Sequence, residues 1–311
     1  MANLKTLTLT NFTTHSGTFY SQFPLHYEHF GADYKTAPVV LVNHSLTGDS
    51  SVCGEKGWWS EMVGPRLSID TDKYAIIAFN IPGNGVANSL YDNYEDFHTG
   101  DIAKLFFLGL DHLGITSLFA NIGGSIGGGI AWEMAALYPD LAQYLIPVAA
   151  DWKASDWIIA NTFLQRRILE NSSKPLEDAR IHAMLTYRTP HSLDFRFSRS
   201  MNQELNIYNV ESWLLHHGLK LANRFDLKAY IMMNHLLSSI NITRDNASFK
   251  KIVSKISASI HLISIDTDLF FTPHEDQKTY NKVKAFKNNI SFHEIDSIHG
   301  HDAFLIENQK M

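Results

Sequence analysis

The feature that most constrains the fold is one serine, Ser125, set in a run of glycines. Residues 121–129 read Asn-Ile-Gly-Gly-Ser-Ile-Gly-Gly-Gly. The preceding segment 118–122 is apolar enough for a buried strand, and apolar residues recur at helical spacing over 130–137. Glycines allow a sharp turn between the two elements with little side-chain clash. A strand, Gly-x-Ser-x-Gly and a helix in this order are typical of a nucleophile elbow.

Strands and helices alternate on both sides of this turn, which predicts an α/β fold with a mostly parallel central sheet flanked by helices. Continuous apolar runs at 39–42 and 74–79 are typical of strands covered on both faces. Strands are predicted near 5–11, 24–29, 37–43, 74–80, 117–122, 142–149, 258–268 and 290–298, and helices near 98–113, 126–137 and 274–287.

The alternation stops over residues 152–252, where the apolar spacing is helical throughout. We expect a core in two parts, 1–151 and 253–311, with 152–252 as an inserted helical lid. The lid would separate the serine half of the chain from the half that supplies its partners. It would therefore cover the site.

Composition excludes several classes of protein. With 311 residues, 45% of them hydrophobic and 19% charged, the chain has the composition of an ordinary globular protein. A net charge of −6 offers nucleic acid no electrostatic attraction, so no nucleic-acid partner is expected. Cys53 is the single cysteine, which excludes an internal disulfide and a cysteine-based metal site within one chain. No apolar run of membrane-spanning length and no signal sequence is recognisable, so we expect a cytoplasmic protein without a membrane partner.

An acyl-transfer serine needs a histidine base and an acid, and in this architecture they follow in the order Ser, Asp, His. Asp266 and Asp268 end one predicted strand, and His299 and His301 follow another. Strand ends are where sheet enzymes keep their chemistry. The residues alone leave open which aspartate and which histidine serve Ser125.

Two other interpretations of these motifs are weaker. The segment His299-Gly300-His301-Asp302 has metal-ligating side chains, but a third ligand group at suitable spacing is missing, so no metal is expected. The glycine cluster does not follow the G-x-G-x-x-G order of a dinucleotide site, and a serine occupies the turn.

Several motifs taken together resemble the homoserine O-acetyltransferase family, a branch of the α/β-hydrolase fold, over most of the chain. The matching segments are Leu46-Thr47-Gly48-Asp49-Ser50, Gly57-Trp58-Trp59, Gly123-Gly124-Ser125-Ile126-Gly127-Gly128, Leu185-Thr186-Tyr187-Arg188-Thr189, Val210-Glu211-Ser212-Trp213-Leu214, Arg224-Phe225-Asp226 and Gly300-His301-Asp302-Ala303-Phe304-Leu305.

The resemblance implies Ser125 as the nucleophile, with Asp268 and His301 completing the triad. It implies that Arg188 and Asp302 hold the amino-acid acceptor. An arginine fork suits the carboxylate of homoserine and an aspartate suits its ammonium group. The implied reaction is a ping-pong transfer of an acetyl group from acetyl-CoA to L-homoserine in methionine synthesis, with acetyl-CoA as cosubstrate and no bound cofactor.

The oxyanion of the tetrahedral intermediate would meet the backbone N–H groups of Leu46 and Ile126. The chain departs from the family at two places. Ile126 stands where the family usually has methionine, and the segment 80–88 is shorter than the glycine- and threonine-rich segment that relatives carry there. Family members commonly pair through the lid, so we expect a homodimer.

Alternatives stay open for the donor and the acceptor. A hydrolase of the same fold would use water in place of homoserine, and an O-acyltransferase could act on serine. No motif fixes acetyl against succinyl as the acyl group. An esterase has no need of an amino-acid clamp, so Arg188 and Asp302 favour the transferase.

Overall fold

The computed structural model describes residues 4–311, the side chain of Asp245 excepted, and is built on one eight-stranded sheet. Its strand order is β1-β2-β4-β3-β5-β6-β7-β8, antiparallel at β1, β2 and β4 and parallel from β4 onwards. This confirms the predicted mostly parallel sheet. The strands are β1 (Lys5–Thr13), β2 (Phe19–Gly31), β3 (Val39–Asn43), β4 (Ala75–Phe79), β5 (Leu118–Gly124), β6 (Ala142–Val148), β7 (Ser259–Ile265) and β8 (Ile290–Ile295).

The central strands β3 and β4 are apolar at almost every position because both faces of the sheet are covered. Leu41 of β3 packs into a core with helices, while its neighbours Val40 and Val42 pack into a second core on the opposite face. Successive side chains of a strand point to opposite faces, so such a strand cannot alternate between apolar and polar residues.

Two strands, β2 and β8, differ in length from the prediction. β2 covers Phe19–Gly31 and not just 24–29, because its first half pairs with β1 alone and alternates between exposed and buried residues. That half has no continuous apolar run to reveal it. β8 stops at Ile295 and not at 298, because the Ser297 N–H donates to the Asp266 carboxylate at the end of β7.

Helices cover both faces of the sheet and fill the long segment between β6 and β7. The core helices are α1 (Thr99–His112), α2 (Ile126–Leu137), α9 (Pro273–Lys284) and the short α10 (Ala303–Ile306). The helices between β6 and β7 are α3 (Asp156–Asn171), α4 (Pro175–Tyr187), α5 (Pro190–Phe197), α6 (Asn209–Ala222), α7 (Leu227–Ser238) and α8 (Phe249–Val253). Within residues 4–311, none of the helices combines the length and the apolar character that crossing a bilayer requires.

The segment between β6 and β7 is called the lid here. It contains one element that was not anticipated, a two-stranded hairpin in which Met201–Asn202 pairs with Ile207–Tyr208. Helix α4 packs against α3 and α6 and also contacts the turn Gly300–Asp302 at the edge of the sheet. The lid thus meets the core where the predicted site residues lie. The domain limits at 151 and 252 stay a prediction.

Candidate active site

Ser125 lies between the last residue of β5 and the first residue of α2, with φ 58° and ψ −128°. A non-glycine residue in this region costs about 1–3 kcal/mol and is held there by its surroundings. The neighbouring glycines are required by close packing: a Cβ on Gly127 would lie 2.3 Å from the Asn43 carbonyl oxygen, and one on Gly123 would lie 2.4 Å from the backbone of Gly127. The tight approach of α2 to β3 therefore fixes the serine at the sheet edge.

The structure brings the three predicted triad side chains together. His301 Nε2 lies 3.0 Å from Ser125 Oγ, and His301 Nδ1 lies 2.6 Å from Asp268 Oδ2. The other carboxylate oxygen, Oδ1, accepts backbone N–H groups from Phe270 at 2.7 Å and Phe271 at 3.0 Å. These bonds orient the carboxylate toward Nδ1, so Nε2 is left to act on the serine hydroxyl.

The choice between neighbouring candidates is now made by geometry. Asp266 Oδ1 accepts the N–H of Ser297 at 3.0 Å and joins two loops. His299 Nδ1 lies 3.0 Å from Arg188 Nη2 and 3.1 Å from Ser192 Oγ, on the lid side of the turn. His301 contacts Ser125 and Asp268 contacts His301, so these are the members of each pair that the hydrogen-bonded triad uses, as the resemblance implied.

Aromatic rings surround the imidazole of His301. The ring centroids of Phe270, Tyr187 and Phe304 lie 5.2, 5.4 and 5.4 Å from it. Burial raises the pKa of Tyr187 well above its ordinary value, so its phenol stays neutral. Ser125 and His301 are 4% and 3% exposed, so bulk water has little access to the serine in this conformation.

The predicted oxyanion donors lie on two sides of Ser125. Ile126 is the first residue of α2, where backbone N–H groups have no partner within the helix. Leu46 follows β3 in a loop held by His44, whose Nδ1 lies 2.8 Å from the Ser45 carbonyl oxygen and whose Nε2 accepts the Ile81 N–H at 2.9 Å. Burial lowers the pKa of His44, which keeps Nε2 unprotonated as an acceptor.

His44 was missed in the sequence analysis, although a histidine directly after a central strand was a usable signal. It ties the Leu46 loop to the short segment 80–88. That segment packs tightly beneath α7, since a Cβ on Gly83, which has φ +92°, would lie 1.9 Å from the sulfur of Met232. The Leu46 loop also contacts the lid, because Arg224 Nη1 donates to the Thr47 carbonyl oxygen at 3.0 Å.

Arg188, predicted to hold the acceptor, follows α4 and is buried. Its Nε donates to Ser192 Oγ at 3.1 Å, and its Nη2 contacts His299 Nδ1 at 3.0 Å. The guanidinium also lies 5.8 Å from the ring centroid of Trp213. Within residues 4–311, no carboxylate lies within salt-bridge distance of it, so a buried positive charge is left without an anion.

Asp302, the second predicted acceptor group, directly follows His301 and is partly buried. Burial raises its pKa, and the positive charges of Arg180 and Arg188 oppose that rise. Arg180 on α4 was not singled out from the sequence. Its guanidinium lies 5.7 Å from the Tyr187 ring and, like that of Arg188, has no carboxylate within 4 Å in the described part of the chain. Its position one turn and a half before the matched Leu185–Thr189 motif was the available signal.

Comparisons with known proteins agree on the fold. The model of the alpha/beta hydrolase fold matches residues 38–307. Homoserine O-acetyltransferases are similar in sequence: that of Cyclobacterium marinum is 34% identical over 88% of this chain and 82% of its own length. That of Methanococcus vannielii is 32% identical over 95% of this chain and 68% of its own length.

Solved structures give the same architecture. The homoserine O-acetyltransferase of Bacillus anthracis superposes with a TM-score of 0.87 at 19% identity, covering 99% of this chain and 95% of that one. Esterase E22 superposes equally well, with a TM-score of 0.87 at 18% identity over 100% of this chain and 98% of that one. Transferase and esterase therefore share this fold, and the residues of the site must separate them.

Proposed function

Because the chain belongs to the homoserine O-acetyltransferase family of α/β hydrolases, we propose that it transfers an acetyl group from acetyl-CoA to the hydroxyl of L-homoserine. The observation that carries the proposal is a hydrogen-bonded Ser125–His301–Asp268 triad that lies against the lid. The lid in turn presents guanidinium groups that have no carboxylate partner among the described residues. The product would be an activated amino acid for methionine synthesis, and the cytoplasmic location expected from the sequence stays a prediction.

In the first half-reaction, His301 Nε2 takes the proton of Ser125 as its Oγ attacks the thioester carbonyl carbon. The oxyanion accepts the N–H groups of Leu46 and Ile126, and each such donor contributes about 3 kcal/mol to transition-state stabilisation. The C–S bond then breaks, and CoA leaves as the thiol with the proton from His301. Asp268 stabilises the imidazolium that exists between these steps.

In the second half-reaction, the hydroxyl of homoserine takes the position of the departed thiol. His301 Nε2 removes its proton as the oxygen attacks the acetyl-serine carbonyl. Collapse of the second tetrahedral intermediate returns the proton to Ser125 Oγ and releases the O-acetyl ester. The same base, oxyanion donors and nucleophile serve both halves.

The acceptor would be oriented by opposite charges at the lid. We assign its ammonium group to Asp302 and its carboxylate to the guanidinium of Arg188, with Arg180 as a second donor that the sequence did not predict. The positive charges of both guanidinium groups lower the pKa of Asp302, and neither group has a carboxylate within salt-bridge distance in the described residues. A zwitterion supplies one charge for each side of this arrangement.

The rival function is hydrolysis, with water as the acceptor, and esterase E22 shows that the fold itself allows it. Two observations favour transfer. Ser125 and His301 are almost wholly buried, and the charged groups assigned to the amino acid include Asp302, which directly follows His301. A simple ester substrate has no charge for these groups to bind.

The lid also supports the expected homodimer. Its outer surface exposes large apolar side chains, among them Phe195 at 77%, Leu205 at 58% and Leu219 at 51% exposure. Exposed apolar side chains gathered on one segment are typical of an interface between subunits. Light scattering coupled to size-exclusion chromatography would give twice the mass of 35.2 kDa if the lids pair, and the monomer mass would refute the dimer.

The decisive experiment measures thiol release from acetyl-CoA with L-homoserine, with L-serine and without an acceptor. Release that requires homoserine, together with O-acetylhomoserine detected by mass spectrometry, supports the proposal. Release that requires serine reassigns the acceptor. Release at the same rate without any amino acid makes the protein a hydrolase.

A further inference from the structure

The lid and the core meet at a triangle of polar side chains formed by Arg188, Ser192 and His299. Arg188 directly follows α4, Ser192 lies in α5, and His299 lies directly before the turn Gly300–Asp302. Nδ1 of His299 lies 3.0 Å from Arg188 Nη2 and 3.1 Å from Ser192 Oγ. Arg188 and Ser192 are buried. His299 has no part in the triad, so its place in this triangle requires another explanation.

The geometry fixes the protonation state of the His299 ring. A guanidinium group has donors only, so Nδ1 must accept from Arg188, and the proton of the neutral ring lies on Nε2. An imidazolium would set a second N–H and a second positive charge against the guanidinium group. Burial lowers the pKa of His299, and the charge of Arg188 lowers it further. Of the other charged groups that face the ring, Glu307 and Asp302 raise this pKa and Lys310 lowers it.

The triangle occupies one edge of the guanidinium group of Arg188. Nε donates to Ser192 Oγ at 3.1 Å, and Nη2 donates to His299 Nδ1. Nη1 has no hydrogen bond to any group in the part of the chain that the structure describes. The nearby ring of Trp213 is an indole, which offers no hydrogen-bond acceptor. A guanidinium group held through Nε and Nη2 keeps Nη1 in a fixed direction, which reduces the entropy lost when a carboxylate binds to it.

We propose that His299 is a positioning residue for the amino-acid acceptor, whose unprotonated Nδ1 holds Arg188 so that Nη1 meets the carboxylate. The inference rests on the proposed function, since it takes Arg188 as the group that binds this carboxylate. One short turn then serves the whole acceptor: His299 acts through Arg188 on the carboxylate, His301 acts on the hydroxyl, and Asp302 holds the ammonium group.

Steady-state kinetics tests the role of the acceptor nitrogen. His299→Ala should raise KM for L-homoserine about tenfold and leave the burst of thiol from acetyl-CoA unchanged, because only the carboxylate clamp is loosened. His299→Asn, whose amide oxygen replaces Nδ1 as an acceptor, should restore the wild-type KM. His191→Ala is the matched control, since His191 is exposed on α5 beside Ser192. A wild-type KM in His299→Ala, or a raised KM in His299→Asn with an unchanged thermal melt, overturns the proposal.

The pH profile separates positioning from a merely structural role. In wild type, KM for homoserine should rise as the pH falls through the pKa of His299, because the imidazolium cannot accept from Arg188. Protonation of Asp302 also weakens acceptor binding at low pH, since it removes the charge that pairs with the ammonium group, but this effect is common to wild type and His299→Asn. The rise should therefore be smaller in His299→Asn. Identical profiles in the two proteins would refute the role of His299.

NMR of the imidazole reads the contact without any acceptor. The signals of His299, assigned by their loss in His299→Asn, should show a proton on Nε2 and a pKa below the ordinary value of histidine. Arg188→Ala should raise that pKa, because it removes the neighbouring positive charge. If this holds in a protein that transfers no acetyl group to homoserine, the proposed function fails while the contact stands. If the protein is a transferase but His299 titrates alike with and without Arg188, the present inference fails and the function stands.

Discussion

The sheet edge and the lid hold their charged groups in opposite ways. At the edge, Asp268 uses both carboxylate oxygens, one for His301 and one for two backbone N–H groups. On the lid, Arg180 and Arg188 have aromatic and hydroxyl neighbours but no anion within the described chain. The edge is complete without substrate, while the lid is not. The catalytic groups of the core are therefore already paired, whereas the binding groups of the lid gain a charged partner only from the ligand.

The strongest test of this comparison removes the nucleophile. Ser125→Ala should lower kcat about a million-fold, because the acyl-enzyme cannot form, and should leave the fold intact. Intact-protein mass spectrometry after incubation with acetyl-CoA reads the acylation directly. Acetylation persisting in the variant would refute the serine mechanism.

The second test asks whether catalysis at the sheet edge depends on Asp268 and not on its neighbour Asp266. Asp268→Asn should lower kcat about ten-thousand-fold, because an amide does not hold the histidine tautomer that leaves Nε2 as a base. Asp266→Asn is the matched control. Asp266 lies two residues away and accepts a hydrogen bond from the Ser297 N–H, so this variant should keep most of the activity. Equal losses in the two variants would mean that the carboxylate acts through loop structure and not through His301. Steady-state kinetics with a thermal melt of each variant separates these cases.

The lid groups should affect the acceptor and not the acyl donor. Arg188→Ala and Arg180→Ala should each raise KM for homoserine about 10- to 100-fold, as expected for the loss of a charge-assisted hydrogen bond. The rate of the acylation half-reaction, measured as a burst of thiol without acceptor, should change far less. The larger KM effect identifies the arginine that holds the carboxylate. An unchanged homoserine KM in both variants would place the carboxylate elsewhere.

The same division explains what the sequence could predict. The elbow at Ser125 and the buried strands have local signals, since glycine spacing and continuous apolar runs are set by contacts within one element and its direct neighbours. His44 and Arg180 have only their positions beside a predicted strand and a matched motif as a signal, because their roles arise from distant groups, Ile81 for His44 and Asp302 of the core for Arg180. The first half of β2 was missed because one-sided pairing leaves it without an apolar run.

The smallest expected effect concerns stability at the sheet edge, at Asp151, which follows β6 between the strands that lead to Ser125 and Asp268. Burial raises the pKa of Asp151 from 3.8 to about 7, with Glu275, Asp276 and Lys278 of α9 as the charged groups facing it. Between these values the folded state holds a proton that the unfolded state has released, so the free energy of unfolding falls as pH rises from about 4 to 7.

Asp151→Asn removes that titration, and its stability relative to wild type should increase by up to about 4 kcal/mol over this pH range. Urea unfolding at pH 4.5, 6 and 7.5 measures the change. Asp156→Asn, at an exposed carboxyl at the start of α3, is the control and should follow the wild-type slope. If Asp151→Asn also follows the wild-type slope, the buried carboxyl is ionised at neutral pH. The edge would then hold an uncompensated charge, as the lid does, and the contrast between the two regions would disappear at this position.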